Sequence, residues 1–494
     1  MIEGPFWMLA LLLTPLVGGG LVWVSRTRAQ LNASAAATGA ASFGFLLFVL
    51  DQVLATGPTF AVGGLLYVDA LSGLLLLVIT LVGLASLLYS IDYLGRSGSP
   101  HEASAPRLRR YYGLVLLFLF TMYLVSEANN LGLLWTALEG TTLVSALMVG
   151  YYQTRRALEA SWKYLILCSA GLAFALFGTL LLYLASIRAL GSGASGLDWT
   201  TLVQAGGHLD PGLVQLALVF LFVGYGTKAG LAPLHNWLPD AHSEAPTPVS
   251  ALLSGALLNC AMYALIRVDA ITLRIPGFTL THWLLLIFGL SSVFVAALFI
   301  LVQHDLKRLL AYHSVEHMGI ITLGLAFGGF LGVFGALYHL LNHAVTKAAL
   351  FLIGGNLALQ AQTKDLEQIQ GALAAVPATA IALLLGGLAL GGVPPFSVFA
   401  SEFVILTAGF TDGNAWGAIL LLVALAIVFA GLIGHLVHML FGGNPSRHYL
   451  PGLRRAVGAS IGVGLLMALA LGLGLFLPNP LSQLLHGAVQ AVNG

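Results

Sequence analysis

Charge is what this chain has least of. Asp, Glu, Lys and Arg together make up 8% of its 494 residues, where soluble domains carry roughly a quarter. With 59% of residues hydrophobic, that scarcity excludes an ordinary soluble protein and indicates a polytopic membrane protein. The net charge is +1, so there is no basic field to hold nucleic acid. Cysteine is scarce too. Cys168 and Cys260 lie in separate apolar runs and cannot supply an iron–sulfur cluster, a c-type haem attachment or a Cys-based zinc site. The sequence also lacks a Gly-rich nucleotide loop and a nucleophile constellation. No cofactor and no metal are expected in this chain, and the redox centres of any process it serves belong on other chains. Nor is there a linker: the longest polar stretches, about 95–110 and 188–211, are too short for a soluble domain.

What is present is a succession of apolar runs. A span needs about 20 such residues. Fourteen are read, roughly at 6–24, 33–54, 66–91, 111–126, 129–152, 162–187, 212–236, 247–268, 280–303, 311–328, 331–360, 373–409, 415–441 and 455–477. The first has Glu3 before it and Arg26 and Arg28 after it. That is the reverse of a signal peptide, so a retained span is expected. Placing the N-terminus outside and alternating puts Arg26, Arg28, Arg96, Arg107, Arg109, Arg110, Arg155, Arg156, Lys163, Lys307, Arg308, Lys364, Arg447, Arg454 and Arg455 in inside loops. Outside loops hold only Arg188, Arg267 and Arg274. This asymmetry fits the positive-inside rule and predicts fourteen helices with both termini outside.

Lys228 and Lys347 are the two lysines left within spans. A charge at the bilayer centre costs about 2.5–3.5 kcal/mol even on the forgiving insertion scale, so such residues are functional candidates. Glu139 sits mid-run in LLWTALEGTTLVSALMVGYY; the bland alternative is a carboxylate that helps end a helix. Lys228 lies in GYGTKAGLAPLHNWLPDAHSEAPTPVSALL, five residues before Pro233. The proline lacks an amide hydrogen and clashes one turn back, at Ala229. A discontinuous helix is expected there, its freed backbone lining a wet cavity; a permanent structural ion pair is the alternative for the lysine. His313, Glu316 and His317 open the tenth run. The i,i+4 pair His313/His317 shares a helix face, but Ser314 stands where a zincin would have glutamate. His317 is therefore read as a proton relay, since imidazole titrates near neutral pH, with His313 and Glu316 at the interface. His339, His343 and Lys347 follow at i, i+4 and i+8, one stripe of one helix with the look of a proton wire. In GGLALGGVPPFSVFASEFVIL, Pro394 and Pro395 break the twelfth run and Glu402 follows; an interfacial carboxylate after a helix break is the alternative.

The seventh and twelfth runs match: each has glycines, a proline break and one charge. Broken helices at matching places in two halves suggest an internal repeat around a mid-membrane ion path. The seventh starts outside and the twelfth inside, so the repeat is inverted. The expected fold is all-α and polytopic. Residues 1–110 form helices 1–3, 111–270 the first repeat, 271–441 the second, and 442–494 the last helix.

The motifs LEGTTLVSALMVGYY, TKAGLAPLHNWLPDAHSEAPTPVSALLSG, DLKRLLAYHSVEHMG, HLLNHAVTKAALFL and GGVPPFSVFASEF resemble the antiporter-like proton-channel subunits shared by respiratory complex I, Mrp-type sodium/proton antiporters and membrane-bound hydrogenases. The resemblance covers about residues 60–445, and LEGTTL, SALLSGALLN, SVEHMG and PPFSVFASEF resemble the F-subunit type of hydrogenase-4-like complexes. It implies a glutamate–lysine pair at Glu139 and Lys228. A central axis continues through His317, His339, His343 and Lys347, and Glu402 gates the far side. Many relatives carry a lysine or histidine on helix eight between the halves; here Asn259 matches, which does not titrate, so the link needs water or another route. The resemblance further implies partners: other membrane subunits, a peripheral redox enzyme, the lipid bilayer, and protons or sodium as the transported ion. The location implied is the inner, cytoplasmic membrane of a prokaryote. Three functions follow: a non-catalytic, proton-translocating subunit of a redox-driven assembly, an Mrp-type sodium/proton antiporter subunit, or a non-conducting anchor for a peripheral enzyme.

Overall fold

The computed structural model describes residues 3–94, 104–191, 196–443, 449 and 457–494. Helices dominate. In order they are α1 (Glu3–Val24), α2 (Arg28–Thr56), α3 (Ala70–Tyr93), α4 (Ala105–Glu127), α5 (Leu131–Val149), α6 (Arg155–Leu190), α7 (Trp199–Ala205), α8 (Pro211–Ala229), α9 (Leu238–Glu244) and α10 (Thr247–Leu252). A π-turn at Leu253–Leu257 joins α10 to α11 (Leu258–Thr272). The second half holds α12 (Leu280–Leu301), α13 (Leu306–Phe327), α14 (Gly329–Ala361), α15 (Ala372–Ala375), α16 (Pro377–Leu390), α17 (Ser397–Thr411), α18 (Ala415–Phe441), α19 (Val457–Leu475) and α20 (Asn479–Asn493).

Starts are set by side chains that accept the amide hydrogens a helix leaves unpaired at its first turn. Thr27 and Gln30 form a capping box on α2. Asp69, Asn130, Asp210 and Asp305 cap α3, α5, α8 and α13. Among the described residues, eleven helices are long and apolar enough to cross a membrane, or up to twelve when the bent pair α19–α20 counts as one. The chain is a multi-pass, all-α membrane protein, but the expected fourteen spans are not reached on these criteria. α13, which carries Lys307, Arg308 and Glu316, falls outside the set, and α16 and α17 are short.

Both expected breaks are present. α8 stops at Ala229, with Gly230 left-handed at φ +74°, so the helix ends short of the expected 236. α16 stops at Leu390, and Gly392 takes φ +66°. Pro233 follows the first stop; Pro394 and Pro395 follow the second. Lys228 lies in the last turn before its break, whereas Glu402 lies after its own.

The centre is built from helices buried on every side. The span Thr247–Thr272 is wholly buried, as are nearly all of α13 and most of α14, the pattern of helices enclosed by others. α1, α2 and α6 instead show large apolar side chains on their outer faces, among them Val17, Phe48, Trp162 and Ile166, suited to lipid. α6 and α8 meet backbone to backbone. A Cβ at Gly224 would lie 2.6 Å from the Ala175 nitrogen and 2.7 Å from the Gly171 carbonyl oxygen. Small residues allow this approach in membranes, and it sets Lys228, one turn beyond Gly224, against α6.

Several expectations need correction. Arg267 is not in an outside loop: it lies within α11, 2% exposed. Lys307, expected in an inside loop, is buried in the first turn of α13. Arg96, Arg447, Arg454 and Arg455, and the first residues of the last expected span, lie outside the described residues. A hairpin of β1 (Thr59–Ala61) and β2 (Leu66–Val68) before α3 was not expected, being too short to show an alternating pattern. Nor was α20, bent 77° from α19. Leu484, Leu485, Ala488, Val489 and Val492 bury one of its faces, and its end is tied by Arg274 Nη1 donating to the Asn493 carbonyl at 3.0 Å.

Candidate functional site

In the first half the broken helix brings Lys228 to α5 and α6. Its side chain is fully buried. The Nζ donates to Thr142 Oγ1 at 2.9 Å and to Tyr164 Oη at 2.6 Å, and lies 4.8 Å from the Tyr164 ring centroid. Tyr164 in turn shares a 2.7 Å bond with Ser145. The break satisfies its own backbone: Trp237 Nε1 donates to the Thr227 carbonyl at 2.8 Å, and the Ala232 amide donates to Ser292 Oγ at 2.9 Å.

The expected Glu139–Lys228 ion pair is not formed: no contact within 4 Å joins them among the described residues. Glu139 Oε1 accepts from Ser169 at 2.7 Å, and its Oε2 is buried without a partner. Hydroxyls stand where a direct pair was expected. Thr142, one turn after Glu139 on the same face of α5, takes the position facing the lysine.

In the second half the stripe on α14 meets α13 and α17. His317 Nδ1 and His339 Nε2 share a 2.8 Å bond; His339 Nδ1 bonds Ser401 Oγ at 2.9 Å. The His343 ring centre is 5.4 Å from that of His317, and neither of its nitrogens has a protein partner. Lys347 donates to the Leu310 carbonyl. Glu402 is 8% exposed and packs against Gly392, where any side chain would collide with its carboxylate. His313 and Glu316 are enclosed by other helices. Both are buried, bonded to each other at 2.7 Å, because α13 is enclosed along nearly its whole length.

Among the described residues, Asn259 makes no side-chain bond across the halves. Its Nδ2 donates back to Gly255 of its own chain turn at 2.8 Å, and Oδ1 is buried without a protein partner. His242 of the first half packs against α14 of the second. It is fully buried on α9, stacked on Phe351 at 4.8 Å with both nitrogens unpartnered, and Lys347 Nζ lies 5.1 Å from the same ring. Near it Lys307 donates to the Ala245 carbonyl at 2.6 Å, satisfying the end of α9. At the rim, Asp240 of α9 takes Lys163 at 2.6 Å and also Arg308, while Glu244 takes Lys364 at 3.2 Å.

His242, Lys307 and the hydroxyls of Thr142, Tyr164, Ser145 and Ser169 were not foreseen. The PTP that follows His242 reads as loop, and hydroxyls in apolar runs carry no mark of the face they will take. Glu127 was also passed over: it is buried at the end of α4, both carboxyl oxygens without a protein partner.

Comparison with known proteins adds the family. Residues 128–430 match the family described as NADH:quinone oxidoreductase/Mrp antiporter, TM, and residues 56–112 match the N-terminus of chain 5 of NADH-ubiquinone oxidoreductase (complex I). The chain is 40% identical over 417 residues to a hydrogenase-4 component F homolog of Methylacidiphilum infernorum, covering 83% of this chain and 87% of the relative. It is 30% identical over 402 residues to NADH-quinone oxidoreductase subunit N of Desulforudis audaxviator, covering 79% and 76%. Its fold superposes with a TM-score of 0.85 and 25% identity on a chain of the membrane-bound sulfane sulfur reductase, an archaeal respiratory membrane complex, covering 98% of this chain and 97% of the other. The chain therefore belongs to the transmembrane family that NADH:quinone oxidoreductases and Mrp antiporters share.

Proposed function

We propose that this chain is a proton-translocating membrane subunit of a redox-driven assembly of the complex I and hydrogenase-4 kind. The observation that carries this is Lys228: a buried lysine held by two hydroxyls and by no carboxylate within 4 Å. Thr and Tyr hydroxyls can accept from an ammonium or donate to a free amine. The contact therefore survives gain or loss of the proton, without the fixed charge by which a carboxylate partner would favour the ammonium. Membership of the family supports the reading, and the names of the relatives, a component and a subunit, support partners in a larger membrane complex.

In this reading protons move among Glu139 and Lys228 in one half and His317, His339, His343, Lys347 and Glu402 in the other. His242 stands at the join with Lys347, in place of the route through Asn259. Residues 111–270 and 271–441 are the two inverted repeats, Pro233, Pro394 and Pro395 open the breaks, and both termini face outside a prokaryotic inner membrane. The redox centres lie on a peripheral partner.

The test is proton uptake by sealed vesicles containing the purified native assembly, with and without sodium. Sodium-independent uptake is expected. Uptake that requires sodium would establish an antiporter instead, and no uptake by an intact assembly would leave a scaffold. A finer expectation concerns Tyr164→Phe, which removes one of the two partners of Lys228. A hydrogen bond to a charged group contributes about 1.5–3 kcal/mol, so uptake slows by roughly tenfold or more. A rate equal to wild type would show that the hydroxyl does not take part.

A further inference from the structure

Three helices converge on one point in the second half. His317 of α13, His339 of α14 and Glu402 of α17 each bring a ligand-type atom to within 4.8 Å of the others, and all three side chains are buried. The HxxxH pair visible in the sequence is not the one that forms this group, since His313 is taken by Glu316.

Donor accounting around His339 shows how the group is arranged. Ser401 Oγ lies 2.9 Å from the Val398 carbonyl, which takes its single hydrogen. The same oxygen then accepts from Asn342 Nδ2 at 3.1 Å and from His339 Nδ1 at 2.9 Å. With the Ser401 hydrogen on that carbonyl, His339 carries its hydrogen on Nδ1 and presents the Nε2 lone pair to His317, which donates from Nδ1. His317 Nε2 is left buried with no partner. A metal-binding histidine generally gives its second ring N–H to an outer acceptor that fixes the tautomer, and Ser401 already holds His339 in that state.

We propose that His317, His339 and Glu402 form a binding site for a divalent transition-metal ion of the zinc class. Two imidazoles and one carboxylate suit zinc, whereas calcium and magnesium prefer all-oxygen sets. Nitrogens at about 2.0–2.1 Å from a tetrahedral ion lie roughly 3.3 Å apart, so rings now 2.8 Å apart need to separate by only about half an ångström. The bridging hydrogen moves from His317 Nδ1 to the unpartnered Nε2 of the same ring, so both rings bind neutral, and any proton on the Glu402 carboxyl leaves to solvent as its carboxylate takes the ion. Glu402, at 8% exposure, is the most accessible of the three, and Pro394 and Pro395 at the break before it are exposed. An ion there withdraws both histidines from proton exchange and blocks uptake. That consequence rests on the proposed proton path, while the binding itself does not.

The experiment uses the native assembly purified without a polyhistidine tag, stripped with a chelator and dialysed against zinc chloride. Wild type is expected to hold one zinc per copy of this chain more than His339→Gln, with affinity at least tenfold lower in Glu402→Gln. His304→Gln, at the exposed His304–Glu367 contact, leaves the count unchanged. The zinc absorption-edge spectrum of wild type shows nitrogen and oxygen neighbours at about 2.0–2.2 Å. Equal zinc counts and affinities in wild type, His339→Gln and Glu402→Gln would overturn the proposal, as would a count that follows His304→Gln or a sulfur-ligated spectrum. If His339→Gln fails to assemble, Ser401→Ala replaces it. Removing the outer acceptor weakens binding about tenfold, and unchanged affinity in that variant refutes the site. Zinc bound at this stoichiometry without loss of uptake supports the site and counts against the proton path.

Discussion

Vesicles carrying Lys228→Met take up protons no faster than vesicles lacking the chain, while the assembly is recovered in wild-type yield. The two halves of this expectation have separate causes. Methionine fills the volume of the buried lysine stem without a charge or a titratable group. Its introduction strands no partner: Tyr164 keeps its 2.7 Å bond to Ser145, and Thr142 keeps the Leu138 carbonyl at 3.3 Å. The packing that surrounds the site therefore loses little, and the group that would exchange a proton is gone. Lys228→Arg gives the same loss of uptake for a different reason, because a guanidinium retains its proton at any accessible pH. Reduced recovery of the complex would place Lys228 among structural residues. Undiminished uptake with full recovery would send the path elsewhere.

Arg267→Met lowers the stability of the chain by about 3–5 kcal/mol, the usual cost of leaving one member of a buried ion pair alone. Arg267 forms a two-pronged contact with Asp69, 2.7 Å on each side, and donates to Ser72 Oγ at 2.9 Å. Its guanidinium lies 4.1 Å from the Trp199 ring centroid and 4.8 Å from that of Tyr263. Asp69 also accepts from the Ser72 amide at 2.8 Å and so starts α3. With the arginine removed, that carboxylate stays buried without its counter-charge. Arg267→Lys is nearly as damaging, since an ammonium cannot reproduce the planar fork or the stacking. The double variant Asp69→Asn/Arg267→Met regains most of the loss: no charge remains, and asparagine still caps the helix. Thermal unfolding in detergent, followed by tryptophan fluorescence, checks this. A double variant no more stable than Arg267→Met would show that the uncompensated charge is not the cause.

Lys228, Lys347 and Glu402 were legible because an ionised group inside an apolar run has a cost that composition alone exposes, and the prolines beside Lys228 and Glu402 marked the breaks. Arg267 was not. It is followed by Asp269 near the end of a run, where a loop and a buried helix end look alike, and the partner that resolves the matter is Asp69, almost 200 positions away. His242 was hidden by its surroundings. Seven-residue helices such as α9 are marginal alone, and α9 exists because tertiary contacts hold it, so no periodicity announces it. The same holds for the direction of hydroxyls. α5 is apolar on most sides, and only its packing against α4 and α6 decides that Thr142 faces inward. The Glu139–Lys228 pair was expected from the family resemblance; the structure gives Lys228 hydroxyl partners instead.

The backbone-to-backbone seam between α6 and α8 bears on which changes of chain length the fold can accept. Each residue advances a helix by about 100°, and Gly224, locked against Ala175 and Gly171, fixes the rotation of α8. One residue gained or lost between Gly224 and Lys228 would swing the lysine a quarter-turn or more from Tyr164, and the seam leaves no slack to absorb the error. Insertions before Pro211 are not under this constraint, because they end in a turn that Asp210 can recap. Along this part of the chain, the fold therefore constrains spacing as strictly as residue identity.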